Sequence, residues 1–240
     1  MSRRIMAVLV LILAACGGGA SPEIDPGDGG DYTVTLDPAS FAEVIDNPLF
    51  PLIPGSTWTY QSVGADEVER IEIVVLDETR IVLGIPATVV RDTVTVEGEI
   101  IEDTYDWYAQ DDAGNVWYLG EDTKEYEGGV VTSTAGSWEA GIDGAMPGIV
   151  MEADPNVGDV YRQEFYRGEA EDLAEVVRVA VAETVAFGSY DDVTVIKEWN
   201  PLLPDVVEEK YYAAGVGMIL EVAVRGGDDR IELIAYQVGG

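Results

Sequence analysis

The side chains that could do chemistry in this 240-residue chain are almost entirely carboxylates. The sequence has 46 Asp and Glu residues, no histidine and one cysteine, Cys16. Without histidine it has no Ser-His-Asp triad, no Cys-His dyad and none of the commonest transition-metal ligands. Two carboxylates about 5–9 Å apart would suffice for glycoside hydrolysis, but so many carboxylates single out no particular pair. We therefore predict that the protein is not an enzyme, with a carboxylate-dependent hydrolase as an alternative.

Calcium is the cation that best fits an oxygen-rich chain, because it prefers carboxylate and carbonyl ligands. The run Asp111-Asp112-Ala113-Gly114-Asn115 is comparable to a calcium loop, but alanine replaces a ligand and the glycine comes early. A tight polar turn explains the same run, since Asp, Asn and Gly tolerate unusual backbone angles. The acidic pairs Glu102-Asp103 and Glu121-Asp122 could border this turn. We expect a turn and no cofactor; the alternative is an acidic calcium-binding surface protein with Glu102, Asp103, Asp111 and Asp112 as ligands.

Four aromatic residues flank this turn and form the predicted ligand-binding set. Trp107 and Tyr108 precede it, and Trp117 and Tyr118 follow it. With the turn centred near Asp112, the two tryptophans are expected to be cross-strand neighbours. One face of the hairpin would belong to the core, and the other would present aromatic rings beside carboxylates, which suits sugars, peptides or protein partners. The competing interpretation is that all four aromatics pack in a sheet covered on both faces.

The single cysteine ends a segment that is typical of secretion signals. Two arginines precede nine apolar residues at 5–13, too few for a membrane-spanning helix, which needs about 20. Leu13-Ala14-Ala15-Cys16 resembles the lipobox of bacterial lipoproteins, in which the signal is cut before the cysteine and the thiol carries a diacylglycerol. We therefore predict a lipoprotein signal peptide at 1–15 and lipid attachment at Cys16. The alternative is an ordinary signal peptide with a chance cysteine.

Residues 16–31 are rich in Gly, Pro, Asp and Ser, which is typical of a flexible, solvated tether. Together with the lipid, this tether predicts an extracytoplasmic protein anchored to the cell membrane or the outer membrane. In a host with two membranes, Gly17 favours the outer one, because it lacks the aspartate typical of inner-membrane retention.

The net charge of −33 excludes nucleic acid as a partner, because nucleic-acid binding depends on Lys and Arg. Solubility or a salty habitat explains this charge; specific binding of cations is the alternative. The expected partners are the membrane, through the anchor, and an unidentified ligand or envelope protein.

From residue 56 onward the pattern predicts strands. Residues 68–76 alternate, with Ile71, Ile73 and Val75 on one face and charged side chains on the other. Further segments rich in Val, Ile, Thr and Tyr, bounded by Gly, Asp and Asn, lie at 87–96, 99–108, 116–119, 160–166, 175–185, 193–199, 206–213, 218–224 and 230–238. Only 169–181 also fits a helix. Short polar connections indicate antiparallel hairpins.

These elements predict an all-β fold. We expect one domain at 32–240, an antiparallel meander whose strongly twisted sheet curls into a barrel-like or half-barrel shape. At most a short N-terminal helix, capped by Asp37, would precede it.

The meander contains two stretches with the same order of features, at about 55–120 and 158–238. The first has Gly55, Trp58, Gly84, Val89 and Asp106-Trp107-Tyr108-Ala109, and the second has Gly158, Tyr161, Gly188, Val193 and Lys210-Tyr211-Tyr212-Ala213. Val89 and Tyr108 are 19 residues apart, and so are Val193 and Tyr212. We interpret this as two degenerate copies of one strand–hairpin–strand unit.

Two motifs carry a resemblance to a known group. The domain opens with Pro51-Leu52-Ile53-Pro54-Gly55-Ser56-Thr57-Trp58-Thr59-Tyr60, and Tyr211-Tyr212-Ala213-Ala214-Gly215-Val216-Gly217 stands near its end. This resembles a group of uncharacterised bacterial lipoproteins with a Pro-Leu-x-x-Gly-x-x-Trp-x-Tyr opening and a Trp-Tyr-Ala-x-Gly-Val-Gly signature. This chain departs from the group in having Tyr211 where tryptophan is usual, and in its acidity. The resemblance implies a β-rich exported domain and no particular activity.

Overall fold

The computed structural model describes residues 32–63 and 68–240. The predicted signal peptide, Cys16 and the tether lie outside the described residues. Asp37 caps a single 3-10 turn at Pro38–Ser40 by accepting a hydrogen bond from the Ala39 amide at 3.0 Å. Phe41 is already extended, so the expected N-terminal helix is reduced to this turn. In the part of the chain that the structure describes, no helix has the length and apolar character needed to cross a membrane.

Fifteen strands follow this turn within the described residues. Those of the first half are β1 Thr57–Ser62, β2 Glu69–Val82, β3 Ile85–Val96, β4 Glu99–Gln110, β5 Val116–Glu127, β6 Val130–Ser133, β7 Trp138–Glu139 and β8 Met146–Met151. Those of the second half are β9 Val160–Arg162, β10 Glu164–Phe165, β11 Leu173–Val185, β12 Gly188–Trp199, β13 Val207–Ala213, β14 Gly217–Arg225 and β15 Arg230–Gln237. The region that fitted either a helix or a strand is therefore the strand β11.

The strands form one sheet in the order β10-β8-β5-β4-β3-β2-β1-β15-β14-β13-β12-β11-β9, with β6 and β7 also paired to β5. All pairings are antiparallel, and most join consecutive strands. Short polar turns produce this meander because antiparallel neighbours need only a hairpin between them. The all-β antiparallel fold predicted from the sequence is confirmed.

The two ends of this strand order meet, although no ladder of hydrogen bonds joins them. The end strands β9 and β10 are consecutive in the chain, and Gln163 alone separates them. A side chain at Gly148 of β8 would overlap the backbone of Gln163, so glycine lets the backbones approach closely here. The sheet therefore curls until its edges adjoin, and the segment 160–165 forms the seam.

The segment that precedes β1 covers one end of the curled sheet. The Asn47 side chain donates to the carbonyls of Gly114 and Glu152, both at 3.0 Å, which fastens this segment to β4–β5 and β8. On the other side, the Gly215 amide donates to the Pro48 carbonyl at 2.7 Å. Phe50, between these attachments, packs edge-on against the ring of Tyr108. The segment thus spans from one half of the sheet to the other.

The two stretches with shared sequence features lie at corresponding places in the sheet. Gly55 donates its amide to the carbonyl of Val75 at 2.8 Å, and Gly158 donates to Val176 at 2.9 Å. Each contact joins the start of a short strand to the long strand beside it, β1 to β2 and β9 to β11. The correspondence is what two copies of one unit would produce, and the duplication itself stays a prediction.

Candidate ligand-binding cavity

The curled sheet encloses a cavity of about 390 Å³. Side chains from the concave face line it, and the segment 50–52 borders it at the covered end. In strands, alternate side chains point to the same face, so each strand contributes residues two apart. The polar lining differs from one side of the cavity to the other, and three walls can be distinguished in the order of the strands.

The first, which we call the acidic wall, consists of Asp92, Asp106 and Glu121 on the adjacent strands β3, β4 and β5. Asp106 lies directly opposite Glu121 in the sheet. Asp92 lies two positions further along the sheet on the same face, opposite Thr104. Thr104 in turn lies opposite Thr123. Opposed positions on neighbouring strands have Cβ atoms about 5 Å apart, so this wall gathers three carboxyl groups and two hydroxyl groups into one polar patch.

Two of these carboxyl groups are held by hydroxyl donors. Tyr118 donates its hydroxyl to Asp106 Oδ1 at 2.6 Å. Thr123 donates to Glu121 Oε2 at 2.8 Å and accepts from Thr104 at 3.0 Å. These bonds fix the orientation of the carboxyl groups of Asp106 and Glu121 before any ligand binds.

Asp92 differs from its neighbours because its Oδ1 is buried and has no hydrogen-bond partner. Buried polar atoms in folded proteins nearly always have one, and an unsatisfied buried acceptor costs about 1–3 kcal/mol. The Asp92 side chain lines the cavity, so its carboxyl group is an acceptor to which no described residue donates.

The second, the lysine wall, consists of Glu198, Lys210 and Glu221 on β12, β13 and β14. The Lys210 ammonium lies 2.6 Å from Glu198 Oε2 and 3.7 Å from Glu221 Oε2. Gln163 of the seam also donates to Glu198, at 2.9 Å. This wall therefore balances one positive charge against two carboxylates within itself.

The third, the apolar wall, lies between the other two in the strand order. It comprises Trp58, Ile71, Ile73 and Ile231 on β1, β2 and β15. Ile73 lies opposite Asp92 in the sheet, so apolar surface and the acidic wall adjoin directly.

At the seam, Glu164 and Asp172 add a third polar feature to the lining. Their carboxyl groups are hydrogen-bonded to each other, and Trp138 donates its indole N–H to Glu164 Oε2 at 2.7 Å. Two carboxyl groups at hydrogen-bond distance cannot both ionise cheaply. Burial, and then repulsion from Asp172, raise the pKa of Glu164 well above its usual value, which favours its protonated form.

Burial also controls protonation along the acidic wall. It raises the pKa of Asp92 to about 7, with repulsion from Glu102 and Glu221 as further causes. Burial raises the pKa of Glu121 to about 6. Burial and repulsion from Glu121 raise the pKa of Asp106 well above its usual value. The free cavity therefore keeps part of its acidic groups protonated at neutral pH, and a positive charge placed there would favour their ionised forms.

On the lysine wall, burial and the neighbouring charges shift the pKa values in opposite directions. Burial alone would lower the pKa of Lys210, but Glu198 and Glu221 raise it well above its usual value. Burial raises the pKa of Glu221 to about 6, although the nearby Lys210 opposes this shift. Lys210, the only lysine or arginine that lines this cavity among the described residues, is thus kept charged by the glutamates of its own wall.

The four aromatic residues predicted to bind a ligand fall on two faces. Tyr108 and Tyr118 line the cavity with their rings stacked, 4.8 Å between centroids. Trp107 and Trp117 are 5% and 2% exposed and lie on the opposite face. There, the guanidinium of Arg80 sits 3.9 Å above the Trp107 ring. The structure therefore brings the two tyrosines to the cavity and keeps the two tryptophans out of it.

The expected cross-strand pairing of Trp107 with Trp117 is wrong. Trp107 lies opposite Gly120, and Trp117 lies opposite Ala109. A β-bulge in β5, next to Tyr108, shifts the register at this point. Gly120 has a φ of +138° and a side chain there would overlap the Trp138 carbonyl. Glycine at this position therefore permits the bulge.

The four residues named as calcium ligands are not brought together. Glu102 and Asp103 lie near the start of β4, and Asp111 and Asp112 lie past its end. At about 3.4 Å per residue the two pairs are roughly 25 Å apart. Asp111 instead organises the turn by accepting from Asn115 and from the Trp117 indole N–H at 2.8 Å. Within residues 32–63 and 68–240, no group of three or more Asp, Glu, His or Cys is arranged to hold a metal ion.

Sequence reasoning missed most of the lining, and two signals could have found part of it. Asp92 stands two residues after Val90 in a predicted strand, so alternation places it on the same face as an apolar neighbour. Asp106 and Lys210 occupy the same position in the two repeated stretches, and both line the cavity. Charged residues at an otherwise core-facing position of both stretches indicate a polar interior.

Comparison with known proteins gives matches only among solved structures. The chain matches no protein-family model and no curated protein. It is similar to a protein of Bacteroides fragilis described as a "putative exported protein with YmcC-like fold", with 15% identity over 79% of this chain and 98% of that one, and a TM-score of 0.48. It is also similar to a protein of Parabacteroides distasonis described as a "putative lipoprotein", with 11% identity over 80% of this chain and 99% of that one, and a TM-score of 0.45.

Proposed function

We propose that this chain is a lipid-anchored, extracytoplasmic envelope protein that binds a small ligand in the cavity without transforming it. The observation that carries the proposal is the cavity of about 390 Å³ on the concave face. Small-molecule sites are concave, about 300–1,000 Å³ in volume, and lined by apolar and aromatic side chains with a few oriented polar groups. The apolar wall, the stacked tyrosines and the hydroxyl-held carboxyl groups fit this description.

The anchor part of the proposal rests on the sequence alone. The lipobox at Leu13–Cys16 and the tether at 16–31 would hold the domain outside the cytoplasm, close to a bilayer. Mass spectrometry of the protein from its native membrane tests this part. A diacylglyceryl modification on Cys16 is expected, and an unmodified cysteine with the signal retained would contradict it.

Energy transfer from tryptophan to a dansyl group tests the cavity, because Trp58 lines it. The probe is N-acetylated dansylcadaverine, which is uncharged, added to the full-length protein in a nonionic detergent. We expect saturable transfer. The double variant Val150→Phe/Ile231→Phe fills the cavity from two sides and should weaken binding tenfold or more. The matched control, Val130→Phe/Val224→Phe, alters two exposed valines and should bind like the original protein.

Melting curves of both double variants confirm that they are folded. Equal binding by the two folded variants would overturn the proposal.

A carboxylate-dependent hydrolase is the second candidate, favoured by one observation. Asp106 and Glu121 lie opposite each other in the cavity. Burial raises the pKa of both groups, that of Glu121 to about 6 and that of Asp106 well above its usual value. Two neighbouring carboxyl groups with raised pKa values supply the acid and the carboxylate that glycoside hydrolysis requires. Release of nitrophenol from a panel of 4-nitrophenyl glycosides, abolished by Asp106→Asn, would support this candidate; no release from any of them would reject it.

A further inference from the structure

The acidic wall lacks a positive partner of its own. It is formed by Asp92, Asp106 and Glu121 on three adjacent strands. Within residues 32–63 and 68–240, the only lysine or arginine lining the cavity is Lys210, which lies against Glu198 and Glu221 of the lysine wall. Two carboxylates already surround that ammonium, which acts on Asp92 from the opposite wall, so the hydrogen bonds that the acidic wall receives come from hydroxyl groups. A positive charge in the cavity would therefore be attracted to the acidic wall.

The Asp92 carboxyl group receives no hydrogen bond from the described residues, and its buried Oδ1 is left unsatisfied. Because the Asp92 side chain lines the cavity, a ligand that meets this carboxyl group is favoured when it carries donors and a positive charge. An ammonium group offers three donors, enough for this carboxyl group and for those of Asp106 and Glu121. The bonds from Tyr118 and Thr123 leave each of those carboxyl groups a second oxygen for a ligand.

The surroundings of the wall suit an organic cation better than a metal ion. The stacked rings of Tyr108 and Tyr118 are aromatic surface of the kind that attracts ammonium groups. Ile73, opposite Asp92 in the sheet, begins the apolar wall along which a hydrocarbon or ring could lie. A metal ion would use neither surface, and among the described residues no cluster is arranged to hold one.

We infer that the cavity selects amphipathic amines, with the protonated amine against Asp92, Asp106 and Glu121 and the apolar part along Ile71, Ile73 and Ile231. This inference rests on the proposed function, because it names the ligand class of the same cavity. The acidic wall supplies the selectivity for charge, and the apolar wall supplies contact area.

Three dansyl probes of nearly the same shape test the inference by tryptophan-to-dansyl transfer on the full-length protein at pH 8. Dansylcadaverine carries an ammonium group, its N-acetyl derivative is neutral, and 6-(dansylamino)hexanoate is an anion. We expect the ammonium probe to bind at least tenfold more tightly than the neutral one, since a hydrogen bond to a charged group contributes about 1.5–3 kcal/mol. The anion should bind most weakly.

A pair of matched variants separates the cavity from the general acidity of the surface. Asp92→Asn removes the charge at the wall and should weaken binding of the ammonium probe about tenfold, with the neutral probe within twofold. Asp192→Asn removes an exposed carboxylate of β12 and should change neither. Salt at 0.5 M shortens the Debye length to roughly 4 Å and so screens the surface charges. The difference in affinity for the ammonium probe between the two variants should persist at this salt concentration.

The other outcomes refute either the inference alone or the inference together with the proposed function. Equal affinity for the ammonium and neutral probes would overturn the inference and leave the proposed function standing. Equal losses in the two Asp→Asn variants, or loss of the preference in 0.5 M salt, would reassign the preference to the surface and overturn the inference. No saturable binding of any probe would overturn the proposed function and the inference together.

Discussion

Replacing Asp92 with asparagine should make the protein more stable at neutral and alkaline pH. In the unfolded chain an aspartate ionises near its ordinary pKa of 3.8, whereas burial raises the pKa of Asp92 in the folded state to about 7. A raised folded-state pKa means that the folded state binds the proton more tightly than the unfolded chain does. As pH rises above 3.8, the folded state therefore loses stability relative to the unfolded chain, until the carboxyl ionises in both near pH 7.

The size of the effect follows from the two pKa values. At 1.36 kcal/mol per pH unit, the penalty is about 1.5 kcal/mol at pH 5 and levels off at about 4 kcal/mol above pH 7. Asparagine has nearly the same shape and no charge, so Asp92→Asn should remove most of this penalty. We expect the stability gain of the variant to grow by 2–3 kcal/mol between pH 5 and pH 9.

Urea unfolding at pH 5, 7 and 9, followed by tryptophan fluorescence, measures the gain. Asp192→Asn is the control, because that carboxylate is exposed and lines no part of the cavity. A gain that is the same at all three pH values, or a loss of stability at pH 9, would refute the reasoning. A pH-dependent gain together with weaker amine binding would indicate that Asp92 is costly to the fold and useful for the ligand.

Three further changes probe the walls, the bulge and the turn, each followed by urea unfolding. Lys210→Met should destabilise the protein by about 3–5 kcal/mol at pH 8, because it leaves Glu198 and Glu221 without their positive partner. The loss of stability should be smaller at pH 5, where Glu221, with a pKa of about 6, takes up a proton. Equal losses of stability at the two pH values would contradict this. Gly120→Ala should cost about 3 kcal/mol or more, because a side chain at φ +138° overlaps the Trp138 carbonyl, and a neutral result would refute the role of the bulge. Asp111→Ala should cost about 2–4 kcal/mol of stability, because it removes the hydrogen bonds that Asp111 accepts in the turn. In the original protein, millimolar calcium should raise the melting temperature no more than the same concentration of magnesium does. A calcium-specific rise would restore the calcium alternative.

The strand pattern is the part of the structure that sequence reasoning predicts well. Alternation such as that of Ile71, Ile73 and Val75 fixes which residues share a face, and short polar turns fix antiparallel neighbours. The sequence predicts no strands between 120 and 159, because β6, β7 and β8, which lie there, are short and lack a periodic pattern long enough to recognise. Their pairing to β5 depends on tertiary contacts.

The site was harder to predict, because it depends on register and curvature. Local sequence does not show that β5 contains a bulge, and this bulge places Trp117 opposite Ala109. Nor does it show that the sheet curls far enough for β3–β5 and β12–β14 to line one cavity. The acidic composition also concealed the site, since the seven carboxyl groups that line the cavity are among 46 in the chain. Only their burial separates them from solvated surface charges.

A crystal structure of the protein with dansylcadaverine bound tests the central claim most directly. We expect the amine nitrogen within hydrogen-bond distance of the Asp92 carboxyl group and the dansyl group along Ile71, Ile73 and Ile231. Both contacts should be lost in Asp92→Asn crystals soaked in the same way. A probe bound only on the outer surface, or one whose dansyl group enters the cavity while its amine points away from the acidic wall, would contradict the claim.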